Sequence, residues 1–186
     1  MKIHLLGASG AGATTLGEHL AGLLACPYFD SDAYYWEPSE PPFTLRRNPD
    51  DRNQRLVHDL SGHTSWILGG SLVNWGEYWL TVFDLVVFLW IPAEIRMERI
   101  RKREFERYGN VIFNDPDRHQ QYTEFIEWAM GYDTNTASGR TLAIHQDWLK
   151  KLSCPVLEIK GDFSVEQRAQ MTVEKIACLQ AGKSSL

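Results

Sequence analysis

Gly7-Ala8-Ser9-Gly10-Ala11-Gly12-Ala13-Thr14-Thr15 follows a short apolar run, Ile3-His4-Leu5-Leu6, and opens a segment whose leucines recur at helical spacing. A strand, a glycine-rich turn and a helix in that order are the context in which the phosphate-binding pattern G-x-x-x-x-G-K-[ST] carries meaning. Gly7 and Gly12 fill the two glycine positions, with Gly10 between them, and Thr14 stands where a hydroxyl contacts magnesium. Ala13 stands where the lysine belongs. The stretch is therefore read as a phosphate-binding loop, Gly7, Ser9, Gly10, Ala11, Gly12, Ala13, Thr14 and Thr15 being its candidate contacts.

The physical case for the loop survives the missing lysine. Glycines allow positive φ and close backbone approach, so successive N–H groups converge on an anion at a helix N-terminus. What is lost is one charge-assisted contact, worth about 1.5–3 kcal/mol. Catalysis then requires a cation from elsewhere in the chain. The competing reading is a glycine-rich turn that binds nothing.

Composition narrows the rest. A chain of 186 residues, 44% hydrophobic and 12% aromatic, is expected to fold as one domain with a substantial core. Its net charge of −5 disfavours nucleic acid and anionic membranes as partners. Cys26, Cys154 and Cys178 lack metal spacing and are read as reduced core thiols. No basic segment leading into an apolar run opens the chain, and Leu85–Pro92 is far too short to span a membrane, so a cytoplasmic protein is expected.

Apolar runs alternate with helix-period segments, the pattern of a parallel sheet covered on both faces. The strands fall at Ile3–Leu6, Pro27–Asp30, Trp66–Leu68, Leu85–Ile91 and Pro155–Lys160, and the fourth, apolar without alternation, is expected to be buried on both faces. Helices are expected over Thr14–Leu24, Pro92–Arg107 and Ser164–Gln180, the last opened by a capping box, Ser164 with Gln167. Two intervals exceed simple crossovers. Residues 31–65 hold four prolines and then a helix from about Pro49 to Leu60; residues 104–153 hold a Gly109–Arg118 loop and helices around Gln121–Met130 and Ser138–Leu152. Long insertions at strand ends usually carry binding function.

Candidate chemistry gathers at those strand ends, which line the ligand crevice of a doubly wound sheet. Asp30 and Asp32 stand at the end of the second strand, either of them able to hold magnesium through water or to accept a proton from a substrate hydroxyl, with Asp30 as a mere cap the competing reading. Gly69 and Gly70 follow the third. Among the arginines, Arg103, Arg107 and Arg140 are read as catalytic cations in place of the lysine. Arg96 and Arg99 are read as solvated helix charges paired with Glu94 and Glu98. Arg52 and Arg55, three apart, are candidates for one helix face aimed at an anionic acceptor, with an ordinary surface helix as the equal alternative. Tyr34-Tyr35-Trp36 and Trp75, Tyr78 and Trp79 are either an aromatic wall for the acceptor or core packing. His4 is read as a core residue, and His58, His63, His119 and His145 share no metal spacing.

The loop, Asp30-Ser31-Asp32, Leu68-Gly69-Gly70 and the arginine-rich helix after Leu85–Ile91 together resemble the small-molecule kinases of the P-loop superfamily, such as adenylate, shikimate and gluconate kinases. Gly70–Gly76, Gly131–Thr134 and Cys154–Leu157 resemble a bacterial adenylate-kinase-like group more closely. The resemblance implies an α/β three-layer sandwich with a five-stranded parallel sheet in the order 2-3-1-4-5. It also implies ATP on the loop and magnesium on Thr14 with Asp30 nearby. Residues 31–65 would bind a small-molecule acceptor through Asp32, and residues 104–140 would form an arginine-bearing lid. Ala13 departs from the family pattern.

Overall fold

The computed structural model describes residues 1–183. Five parallel strands, β1 (Lys2–Gly7), β2 (Tyr28–Asp30), β3 (Trp66–Gly69), β4 (Leu85–Trp90) and β5 (Val156–Lys160), form one sheet in the order β2-β3-β1-β4-β5. This is the expected topology. Helices cover both faces: α1 (Ala13–Leu24), α2 (Ser31–Tyr35), α3 (Pro49–Ser61), α4 (Ala93–Tyr108), α5 (Val111–Asn114), α6 (Pro116–Thr134), α7 (Leu142–Leu149) and α8 (Val165–Lys183).

The two faces explain the unbroken apolar runs. Ile3, Leu5, Leu85, Val87 and Leu89 join Leu16 and Leu20 of α1 and Ile176 of α8 in one core layer. Leu6, Val86 and Phe88 point the other way, to Leu56 and Leu60 of α3 and Trp148 of α7. The central residues of the internal strands thus meet a core on one face or the other, which leaves little room for polar alternation.

The long intervals differ in detail from expectation. After β2 the chain turns directly into α2, because Asp30 caps it by accepting from the Asp32 N–H at 2.9 Å. Helix α3 begins at Pro49 as expected, capped by Asn48. The Gly109–Arg118 segment is not a plain loop. It contains α5 and the start of α6, which Asp115 caps by accepting from Arg118 N–H at 2.8 Å with Pro116 in the first turn. Helix α7 starts only at Leu142, where Thr141 caps it, later than Ser138. The capping box of α8 forms reciprocally: Ser164 N–H donates to Gln167 at 2.9 Å and Gln167 N–H to Ser164 at 3.2 Å. Cys26 and Cys154 are half-buried thiols, while Cys178 is exposed and not in the core. Among the described residues, no helix is long and apolar enough to cross a membrane.

Candidate functional site

The loop joining β1 to α1 bends through two left-handed glycines, Gly10 at φ 79° and Gly12 at φ 88°, with Ala11 N–H closing a turn on the Ala8 carbonyl at 3.0 Å. Helix α1 then starts at Ala13 with no side-chain cap over its first N–H groups. Uncapped donors at a helix N-terminus, preceded by alternating backbone handedness, form a cup for an anion. Thr14 and Thr15 are exposed at its rim, and Ala13 packs its methyl toward the α1–α8 core.

Protein atoms brace this loop from behind. A Cβ at Gly10 would lie 2.8 Å from the Arg96 carbonyl, and one at Gly12 would lie 2.7 Å from Nη1 of Arg168. Arg168, on α8, donates to the Ala11 carbonyl at 2.9 Å. Arg96, on α4, is wholly buried; it donates to the Ile91 carbonyl at 3.1 Å, reaches the Ser9 carbonyl at 3.5 Å, and pairs with Asp133 of α6. The reading of Arg96 as a solvated charge is therefore wrong. It lies on the buried stripe Arg96, Met97, Ile100 and Glu104, a helical spacing that could have signalled its burial. Arg99 pairs with Asp162 at 2.6 Å rather than with the glutamates of its own helix.

Beside the cup, the Thr14 hydroxyl donates to Oδ2 of Asp30 at 3.2 Å, and the Tyr28 hydroxyl donates to the same oxygen at 3.3 Å. Capping and proximity to Thr14 thus occur together in one carboxylate. Among the described residues, no three His, Cys, Asp or Glu side chains gather into a metal cage. One hydroxyl and one carboxylate, both hard oxygens, fit a magnesium ion that takes its remaining ligands from phosphate and water.

Asp32 is where distant segments meet. Its side chain is exposed at the surface, yet the protein mass around its carboxyl pushes the pKa above the ordinary carboxylate value, and Asp30 adds to the rise. Arg140, Arg103 and Arg107 act on the same carboxyl in the opposite sense. Three arginines from α4 and from the segment ahead of α7 are thus within electrostatic reach of an aspartate of α2, though none forms an ion pair with it among the described residues. Arg107 lies over Phe43 at 5.1 Å and Arg140 over Trp128 at 5.7 Å, while Arg103 reaches the buried Glu104 at 3.3 Å.

Arg52 and Arg55 do not share a setting. Arg52 is buried, its guanidinium 4.2 Å over Trp75 and 5.5 Å over Tyr35, and its Nη2 donates to the Asn74 carbonyl at 3.4 Å. Its Nε is buried without a hydrogen-bond partner, and burial lowers its pKa. No carboxylate pairs with it among the described residues. Arg55 is exposed. Trp75 and Trp79 belong to the core, with Tyr35 stacked on Trp75 at 6.3 Å, so most of the aromatic cluster is packing. Gly69 and Gly70 end β3 where a Cβ would overlap Tyr28 and Ser31 respectively.

The histidine at position 145, which shares no metal spacing, has a polar setting the sequence did not signal. His145, fully buried on α7, bonds Ser71 at 3.0 Å and Tyr132 at 2.8 Å, and burial holds its pKa down at about 3. These residues lie 74 and 13 positions from His145, and no local spacing betrays them. His4 is in the core as expected, stacked on Phe83 with centroids 4.8 Å apart.

No protein-family model matches the chain. The Bacillus subtilis protein YqaC, described as an uncharacterized protein, is 43% identical over 176 residues, covering 95% of this chain and 97% of that one. Among solved structures, Acinetobacter baumannii shikimate kinase in complex with shikimate superposes with a TM-score of 0.53 at 18% identity, over 95% of this chain and 93% of that chain. The deoxyadenosine kinase of M. mycoides with bound dATP superposes with a TM-score of 0.58 at 14% identity, over 95% and 100%. With the sheet order, the loop and the length of the match all in agreement, the chain belongs to the family of Bacillus subtilis YqaC, built on the P-loop kinase fold.

Proposed function

We propose that the protein is a magnesium- and ATP-dependent phosphotransferase acting on a small anionic molecule. The observation that carries this is the Thr14–Asp30 pair beside the left-handed glycine turn that opens α1, with Arg103, Arg107 and Arg140 within electrostatic reach of Asp32. Amides of the Gly10–Thr14 stretch other than that of Ala11, which is engaged by the Ala8 carbonyl, hold the β-phosphate, and Arg103, Arg107 and Arg140 neutralise charge on the transferred group in place of the absent lysine. Thr14, with Asp30 alongside, would hold a magnesium ion, which would supply positive charge to the phosphate groups. The acceptor oxygen attacks the γ-phosphorus, the bond to the β-bridging oxygen breaks, and Asp32 receives the acceptor proton. Arg52, buried without a counter-charge among aromatic rings, supports an anionic acceptor, and residues 31–65 supply its pocket while residues 104–140 act as lid. Arg55, Gly69 and Gly70 stand at the edge of that pocket or shape it.

A screen of nucleotide, sugar and carboxylate-bearing acceptors with labelled ATP tests the reading, and transfer to none of them overturns it. Asp32→Asn is expected to lower transfer by at least about 100-fold while leaving nucleotide affinity within about twofold. Because the Asp32 pKa is raised above 3.8, the acid limb of the wild-type rate profile should lie above that value and vanish in the variant. A second reading, a nucleotide-binding module without turnover, is favoured by Ala13 alone; it predicts ATP binding with no transfer, unchanged in Ala13→Lys.

A further inference from the structure

The Tyr28 side chain occupies a slot that only glycines could leave open. A Cβ at Gly17 in the middle of α1 would overlap the Tyr28 ring, and a Cβ at Gly69 in β3 would overlap its hydroxyl. Glycine inside a helix or a strand weakens that element, so two such positions facing one phenol are a cost the fold carries for its placement. The placement follows from strand geometry: Tyr28 and Asp30, two apart on β2, project to the same face. There the phenol donates to Oδ2 of Asp30 at 3.3 Å, beside the Thr14 hydroxyl at 3.2 Å, while Oδ1 accepts the Asp32 N–H at 2.9 Å. The carboxylate is therefore oriented from three sides. Phenylalanine would fill most of the slot as packing; the hydroxyl, seated over Gly69, adds its hydrogen bonds to Asp30 and Thr14.

We infer that Tyr28 is a positioning residue of the cation–phosphate site, its hydroxyl aiming the Asp30 carboxylate at the cation held with Thr14. This rests on the magnesium–nucleotide reading of the loop. A Thr14 hydroxyl that lends a lone pair to the ion would keep its proton for Asp30, so Tyr28 would be the second side-chain donor that fixes the direction of the carboxylate.

Calorimetric titration of the full chain with a nonhydrolysable ATP analogue, in magnesium and in EDTA, tests it without recourse to turnover. Tyr28→Phe should bind as wild type in EDTA, lose about tenfold affinity in magnesium, and melt within a few degrees of wild type. Asp30→Asn, which keeps the helix cap, should show the same magnesium-specific loss. The double variant should lose no more than Asp30→Asn alone, since Tyr28 acts through that carboxylate. Equal affinities of Tyr28→Phe and wild type in both media overturn the inference, as does an equal loss in both, which marks a packing role. Wild type binding the analogue in neither medium overturns the nucleotide reading itself, and with it this one.

Discussion

At the scale of single residues, two buried histidines make the fold sensitive to acid. His4 is held neutral mainly by its burial, with a pKa down at about 4 from an ordinary 6.5, opposed by its bond to the Leu68 carbonyl at 2.9 Å. His145 is held near 3, also by burial first, with the Arg140 charge assisting. The unfolded chain protonates both below 6.5 while the folded protein refuses the proton. Stability from these sites is thus whole above pH 6.5 and is lost as pH falls toward 4, at up to about 1.4 kcal/mol per pH unit for each histidine. Urea denaturation at a series of pH values should show the midpoint falling steadily below 6.5, and His4→Phe should flatten that slope. An unchanged midpoint between pH 6.5 and 4.5 would contradict this. The same residues show what pattern reading can and cannot see: His4, in the middle of an apolar run, is legible as core, whereas the bonds of His145 to Ser71 and Tyr132 depend on which helix packs over which strand end.

At the scale of elements, helix α1 contains two kinds of glycine with opposite expected consequences. Gly12 begins it at φ 88° with Arg168 pressed behind, so Gly12→Ala incurs a left-handed penalty of about 1–2 kcal/mol, lowering Tm by about 2–8 °C and weakening nucleotide binding. Gly22 lies in the same helix with nothing within 4 Å of a would-be Cβ, so Gly22→Ala should raise Tm by a few degrees, as helix propensity dictates. Calorimetric melting of both variants checks the pair; shifts of the same sign would show that the loop bend is not what makes Gly12 necessary. Strands, the long helices and the α8 capping box were readable because periodicity and caps are local. The start of α6 was also signalled, by Asp115-Pro116, yet the surrounding polar residues disguised it as a loop.

At the scale of the whole molecule, Arg96 ties three parts together: α4, which carries it, the Ser9 carbonyl of the phosphate loop, and Asp133 near the end of α6, which also accepts from the Trp90 indole at 2.9 Å. Arg96→Met should destabilise the fold by about 3 kcal/mol, because it strands a partly buried carboxylate, and adding Asp133→Asn should restore part of the loss. Urea denaturation of the single and double variants measures both. A loss under about 0.5 kcal/mol would show that the pair is not holding α6 to the sheet. By itself the sequence determined the layered fold, the strand order through its resemblance, the loop and the candidates Asp30, Asp32, Arg103, Arg107 and Arg140, because each rests on short-range periodicity or on a spaced motif. Only the tertiary structure decided which arginines brace the loop, since a guanidinium's partner is chosen by how helices far apart in sequence pack: Arg96 and Arg168 are buried behind the loop, Arg52 lies between aromatic rings, Arg103 pairs with Glu104, and Arg107 and Arg140 lie over aromatic rings within electrostatic reach of Asp32.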